Sequence, residues 1–300
     1  MLRNIAPLFA IVAGIMWGSI GLFVRALSAL GLDNTTIVEV RMVGAAIMVF
    51  IGIVVYDKSL LRFKLQDFWI FLGASLASAF GINYFYTAAV NELSLSLAAI
   101  LISTMPVFVI IISLFLFGER ITPKKVGSML LVVLGAICVS GVFDGLTSNP
   151  SVKGVTFGLL SGFGYALYSI FARFGFNRGY NALTINLYCF IITSLALMFF
   201  TNWRKVGEII AIDPVYNIGF LLLHALICAA APYVLFNLSL KYMDTGKASI
   251  LASCEPVAAT IFGFIFFDEI PTIISILGIA MVLVALGILS NPEKSIPKPG

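Results

Sequence analysis

Polar positions along this chain do not recur turn by turn; they gather between long apolar stretches. Ten mostly apolar runs of about 17 to 25 residues lie at 5–24, 36–55, 68–90, 95–117, 125–142, 154–172, 183–200, 218–240, 248–267 and 271–289. Short segments holding Gly, Pro, Asn, Asp and charged residues separate them. At about 1.5 Å per residue, each run makes a helix able to cross a hydrocarbon core about 30 Å thick. The pattern predicts an all-α polytopic membrane protein with ten transmembrane helices. The longest connection runs from about Thr201 to Asn217, which leaves no room for an ATP-hydrolysing domain. No Gly-rich loop followed by Lys-Ser/Thr is present to cradle phosphates.

Composition points the same way. Hydrophobic residues make up 61% of the chain and charged residues 11%, where soluble domains carry about a quarter. Mean hydropathy is +1.09. The first run is too long for the apolar core of a signal peptide and lacks a small-residue cleavage site, so it is expected to remain as a span. Cys138, Cys189, Cys228 and Cys254 all sit within apolar runs, at spacings typical of neither zinc nor disulfide sites, and there is one histidine. The expectation is no metal, no cofactor and no enzyme activity. Nothing resembles a basic stripe with interleaved aromatics, so nucleic acid is not an expected partner; a small-molecule solute and the bilayer are.

Charge sets the orientation. Thirteen of the eighteen Lys and Arg residues fall on the side of the two termini, against Arg25, Lys153, Arg204 and Lys205 opposite, with Arg41 inside the second span. The positive-inside rule then predicts a multi-pass cell-membrane protein with both termini in the cytoplasm.

The chain also repeats itself. Gly14 through Arg25 aligns with Gly162 through Arg173, Pro106 with Pro256, and Phe117-Gly118-Glu119 with Phe267-Asp268-Glu269, each pair offset by about 150 residues. Two five-helix repeats are expected at 1–145 and 152–290, followed by a tail at 291–300. Five is odd, so the second copy must lie upside down relative to the first. Inverted repeats of this kind recur in secondary transporters, where opposed halves exchange inward-open and outward-open shapes.

Further residues carry a family resemblance. Tyr86-Thr87-Ala88-Ala89, Leu97 through Leu101, Pro106-Val107, Phe117 through Thr122 and the Gly127 to Gly135 spacing resemble the drug/metabolite transporter superfamily in its ten-helix EamA-type branch. Pro256-Val257, Asp268-Glu269 and Gly278 through Gly287 echo it in the second half, with Asp268 where Gly is usual. The resemblance covers roughly residues 5 to 290. It implies alternating-access transport of an amino-acid-like or other small metabolite, with efflux favoured; the alternative is a membrane-embedded enzyme or a non-transporting membrane receptor. It also implies a cavity lined by the first, third, fourth, sixth, eighth and ninth spans.

Glu255 leads the candidate chemistry. It lies about ten residues into its span, near the bilayer midplane, where an ionised carboxylate costs on the order of 3 kcal/mol. It could exchange a proton, bind a cationic part of a solute, or stay neutral as packing glue between helices. Pro106 and Pro256 each remove a helix hydrogen bond, which frees the carbonyls of Ile102 and Ala252 at matched depths. Matched interruptions in two halves point to a transport site, although a kink alone could serve packing. Pro232 predicts a bend in the eighth span with no counterpart in the third.

Trp17 and Tyr165 occupy matching depths in the first and sixth spans, and either line a cavity or pack a core. Tyr168, Asn83, Tyr86, Tyr233, Ser103 and Ser253 could add hydrogen bonds to the same space, as could Tyr84, Asn186 and Asn237. Arg41 could snorkel to the headgroups or attract an anion and gate the path. His224, at comparable depth, is a core residue or a proton relay. Gly14-x-x-x-Gly18 and Gly162-x-x-x-Ala166 read as close helix contacts, and Glu119 and Glu269 as interfacial caps or ion-pair partners.

Overall fold

The computed structural model describes residues 2–93, 98, 101–139, 151–268 and 270–290. Helices account for nearly all regular structure, and there is no strand among the described residues. The first span comprises α1 (Leu2–Gly18) and α2 (Ile20–Ala29), joined through one turn at Ser19, whose hydroxyl donates to Met16 O at 2.7 Å. The second span is α3 (Asn34–Tyr56), started by Asp33, which accepts from the Thr36 amide at 3.0 Å.

The third span holds α4 (Phe68–Leu76), a π-helical stretch (Ala77–Phe85) and α5 (Tyr86–Glu92). The fourth ends in α6 (Met105–Phe117), and the fifth is α7 (Pro123–Val139). In the second half, α8 (Val152–Asn177) and α9 (Ala182–Leu197) form the sixth and seventh spans, and α10 (Trp203–Ile212) follows them. The eighth span is α11 (Pro214–Ala225), a π-turn (Leu226–Ala230) and α12 (Ala231–Tyr242). The ninth is α13 (Thr245–Ala252) with α14 (Glu255–Phe267), and the tenth is α15 (Ile273–Ser290). Among the described residues, six rods are long and apolar enough to cross a membrane: 4–29, 34–56, 152–177, 182–200, 214–242 and 245–267.

Three expectations need correction. The sixth span runs on to Asn177, past its predicted end at 172, before Gly179 turns the chain at φ +85°. The segment taken as a plain connection between 201 and 217 contains α10. Its Val206 and Ile209 bury against Leu27, Leu32, Ile37 and Val40, so an amphipathic face holds it on the bundle. And the eighth span's distortion does have a counterpart. The third span carries its own π-helical stretch without a proline, because a π-bulge needs only one inserted residue in the hydrogen-bond ladder.

The duplication is visible turn by turn. Asp33 and Asn181 each cap their helix, the second and the seventh span, with a side-chain oxygen that accepts from a first-turn amide. Gly118 and Asp268 end α6 and α14 in the left-handed region, at φ +62° and +55°. Asp268 therefore adopts the backbone a glycine would, which Asp tolerates better than most residues. Packing follows the same two-fold plan. The first span packs on the eighth as the sixth does on the third, and the first on the ninth as the sixth on the fourth. The second pairs with the seventh, and the fifth with the tenth at the periphery. The molecule is an all-α polytopic bundle of two inverted five-helix repeats.

Candidate functional site

The two proline-marked segments are complete interruptions. Pro106 and Pro256 each lie in the first turn of a new helix, where the missing amide costs nothing. Tight turns precede them: the Thr104 amide bonds Leu101 O and the Ser253 amide bonds Ile250 O, each at 3.2 Å. Backbone carbonyls at the breaks face glycines of the opposite half. A β-carbon on Gly162 would lie 3.0 Å from Leu101 O and 3.2 Å from Ile102 O. One on Gly14 would lie 2.6 Å from Cys254 Sγ and closer still to Ala252 O, and one on Gly18 2.8 Å from Glu255 O. The small-residue faces thus sit on the two breaks, where backbone approaches backbone.

An aromatic cluster fills the space beside them. The Trp17 ring makes edge contacts with Tyr165 (centroids 5.8 Å apart), Tyr233 (5.4 Å) and Phe236 (5.4 Å). Tyr233 touches Tyr168 and Phe190, each at 5.2 Å. Glu255, the first residue of α14, lies within electrostatic reach of Tyr86, Tyr165 and Tyr233. The fold therefore gathers Glu255, Trp17, Tyr86, Tyr165 and Tyr233, from the first, third, sixth, eighth and ninth spans. A negative charge at that position also meets the positive end of the α14 dipole.

Other candidates have different roles. Tyr168 is fully buried and donates to Asn186 Oδ1 at 3.3 Å, while Asn237 Nδ2 donates to both Tyr168 (3.1 Å) and Asn186. This neutral network ties the sixth, seventh and eighth spans together, one turn after Tyr233 in the eighth. The Ser253 hydroxyl donates to Ser249 O at 2.9 Å, within its own helix. Ser103 is half-buried in the matching break. Tyr84 is exposed, and the side chain of Asn83 lies outside the described residues.

On the far side of Glu255 the site is charged. Arg41 is 7% exposed, so it does not snorkel: the side chain turns into the bundle. It lies within electrostatic reach of His224, Cys228, Tyr233 and Glu255. His224 is fully buried and stacks on Phe23 at 5.3 Å. Sequence reasoning overlooked Glu39, which is fully buried and accepts from Ser194 Oγ at 2.7 Å across the two halves. An acid two residues before Arg41 in an apolar run was the available signal. No group of three His, Cys, Asp or Glu that could hold a metal occurs among the described residues.

Polar latches join the halves at the membrane faces. Glu119 accepts from the Thr245 and Gly246 amides at 2.7 and 3.2 Å, capping α13, and Lys125 pairs with Asp244 at 2.8 Å. Its expected partner in the repeat, Glu269, lies outside the described residues. Asp67 binds Arg178 at 2.9 Å and the Tyr180 hydroxyl at 2.7 Å, beside a cavity of about 330 Å³ lined by Ser59, Arg62, Lys64 and Asn181. On the opposite face, Lys153 and Ser151 hydrogen-bond Glu92 and hold its carboxyl below the usual range. That contact is present at neutral pH and is lost as pH falls through the lowered value.

Comparison with known proteins agrees with this architecture. The profile of the EamA-like transporter family matches twice, over residues 4–141 and 152–291. An uncharacterized transporter of Archaeoglobus fulgidus is 28% identical over 282 residues, covering 91% of this chain and 92% of its own. A chloroplastic WAT1-related protein of Arabidopsis thaliana is 24% identical, covering 73% of this chain and 54% of its own. One solved crystal structure, 17% identical, superposes with a TM-score of 0.77 over 94% of this chain and 95% of its own. The chain belongs to the EamA-like transporter family and is a membrane transporter of the drug/metabolite type.

Proposed function

We propose that the protein is a secondary transporter that moves a small polar or amphipathic metabolite out of the cell by alternating access. The observation that carries this reading is the pair of matched helix breaks, each covered by a glycine of the opposite half, with a carboxylate, Glu255, at the start of α14. Released carbonyls and a half-helix N-terminus at membrane depth are tolerated where they line a path, and together they supply acceptors and a polarised end for a solute. Glycine-on-backbone contacts hold little interlocking side-chain volume, so the halves can shift across them. The aromatic rings of Trp17, Tyr86, Tyr165 and Tyr233 give an apolar wall with polar tips, suited to an amphipathic solute. Glu255 takes the cationic group or the coupling proton.

In this reading the N-terminal face is cytoplasmic. Arg62, Lys64, Lys124, Lys125, Arg173 and Arg178 all lie there, in accord with the positive-inside rule. The test uses purified protein in liposomes loaded with a metabolite extract, with mass spectrometry of what is released. Selective loss of one class of small polar solutes, relative to protein-free vesicles, is the expected result. Equal retention in both would contradict transport of this kind.

A further inference from the structure

The charge in the second span remains to be explained. Arg41 is 7% exposed and its Nε has no hydrogen-bond partner among the described residues; His224 is fully buried and neither ring nitrogen has one there. Desolvation strongly disfavours a buried guanidinium without an ion pair, and an unbonded imidazole adds to the cost. Such groups persist where something outside the chain completes them.

The surroundings place these groups together. Gly44, one turn after Arg41, lets the eighth span come so close that a β-carbon there would lie 2.6 Å from Ala225 Cβ. His224 precedes Ala225, and the π-turn that follows carries Cys228 to Ser19, at the turn of the first span. Two helix irregularities, in the first and eighth spans, thus flank the guanidinium. Phe23 covers one face of the imidazole.

Among the described residues no carboxylate occupies this position. Glu39 is two residues from Arg41, so it faces another way, and Ser194 holds it. Glu255 is within electrostatic reach, but no ion pair within 4.0 Å joins it to Arg41 among the described residues. The repeat offers no equivalent either. Arg41 is eight residues after the cap Asp33, and the residue eight after the cap Asn181 is Cys189. The other half carries the neutral Tyr168–Asn186–Asn237 network instead.

We propose that Arg41 and His224 form a subsite for an anionic group of the transported solute, a carboxylate or a group of like size, on the far side of Glu255 from the N-terminal face. The guanidinium offers a charged fork and the imidazole one further donor, both in surroundings from which water is largely excluded. The proposal rests on the transporter reading of the same cavity and adds the charge of what enters it.

The test measures binding rather than flux. Purified full-length protein is titrated with formate, acetate, benzoate and phenylacetate, each against its own amide, at matched ionic strength with chloride. At least one carboxylate is expected to bind about tenfold tighter than its amide, as one charge-assisted contact supplies. Arg41→Gln should abolish that preference and His224→Gln should reduce it. If no carboxylate outbinds its amide in the wild type, or if the preference persists in Arg41→Gln, the subsite is refuted. Should Arg41→Gln fail to fold, Arg41→Lys replaces it: it keeps the charge and loses the fork, and a preference as strong as wild type would likewise overturn the assignment. A wild type that carries flux but shows no carboxylate preference overturns this subsite alone; a wild type that shows the preference but carries no flux overturns the transporter reading alone.

Discussion

At the scale of single residues, the asymmetry between the halves is chemical rather than structural. Both carry the broken helix, but Glu255 stands opposite Met105, and Arg41 opposite Cys189. Glu255→Gln keeps the shape and hydrogen-bonding capacity of the side chain while removing its charge and titration. Transport by this variant should fall, or lose its pH dependence between about pH 5 and pH 9, with expression near wild type. Flux equal to wild type at every pH would remove Glu255 from the mechanism. Glu255 was legible in the sequence because an acid at midplane depth has few reasons to be there. Arg41 was only half legible: its depth allowed snorkelling, and the choice depended on which way the side chain turned. Tyr168 and Asn237 were visible as polar residues, but their mutual bonding was not, because spans this uniformly apolar have no face that periodicity can assign.

At the scale of elements, close backbone approach is the organising contact. Gly18 faces Ala258, Glu255 and Ala259, so a β-carbon would lie 2.6 Å from Ala258 Cβ and 2.8 Å from Glu255 O. Gly18→Ala should cost about 1 to 3 kcal/mol, because backbone rather than a flexible side chain must give way. Gly21→Ala, where nothing lies within 4 Å, should be neutral or slightly stabilising. Thermal unfolding of the two purified variants in detergent checks this; equal midpoints would mean the first and ninth spans do not meet as described. Pro106 and Pro256 showed where the fourth and ninth spans break. Pro232 marked the distortion of the eighth span, but the π-helical stretch of the third had no such signal, since a π-bulge follows from packing and not from a particular residue. The same holds for α10, whose apolar face is too short to stand out beside ten longer runs.

At the scale of the whole molecule, ten spans, duplication and inversion were readable from apolar length, internal similarity and an odd span count. What the sequence left open was how the halves interlock, because contacts such as Gly162 on Leu101 O join residues of unrelated sequence. Orientation is checked with single cysteines in a background whose native cysteines are replaced. Ser59 and Glu208 are exposed on opposite faces. Ser59→Cys should react with an impermeant thiol reagent only from the cytoplasm, and Glu208→Cys only from outside; the reverse would overturn the charge argument. In the same background, Tyr86→Cys tests alternating access most directly, since Tyr86 lies beside Glu255 at the centre of the bundle. The account predicts labelling of this cysteine from both faces of sealed, oriented vesicles, never through a continuous pore. Labelling from one face alone, under every gradient and solute condition, would contradict it.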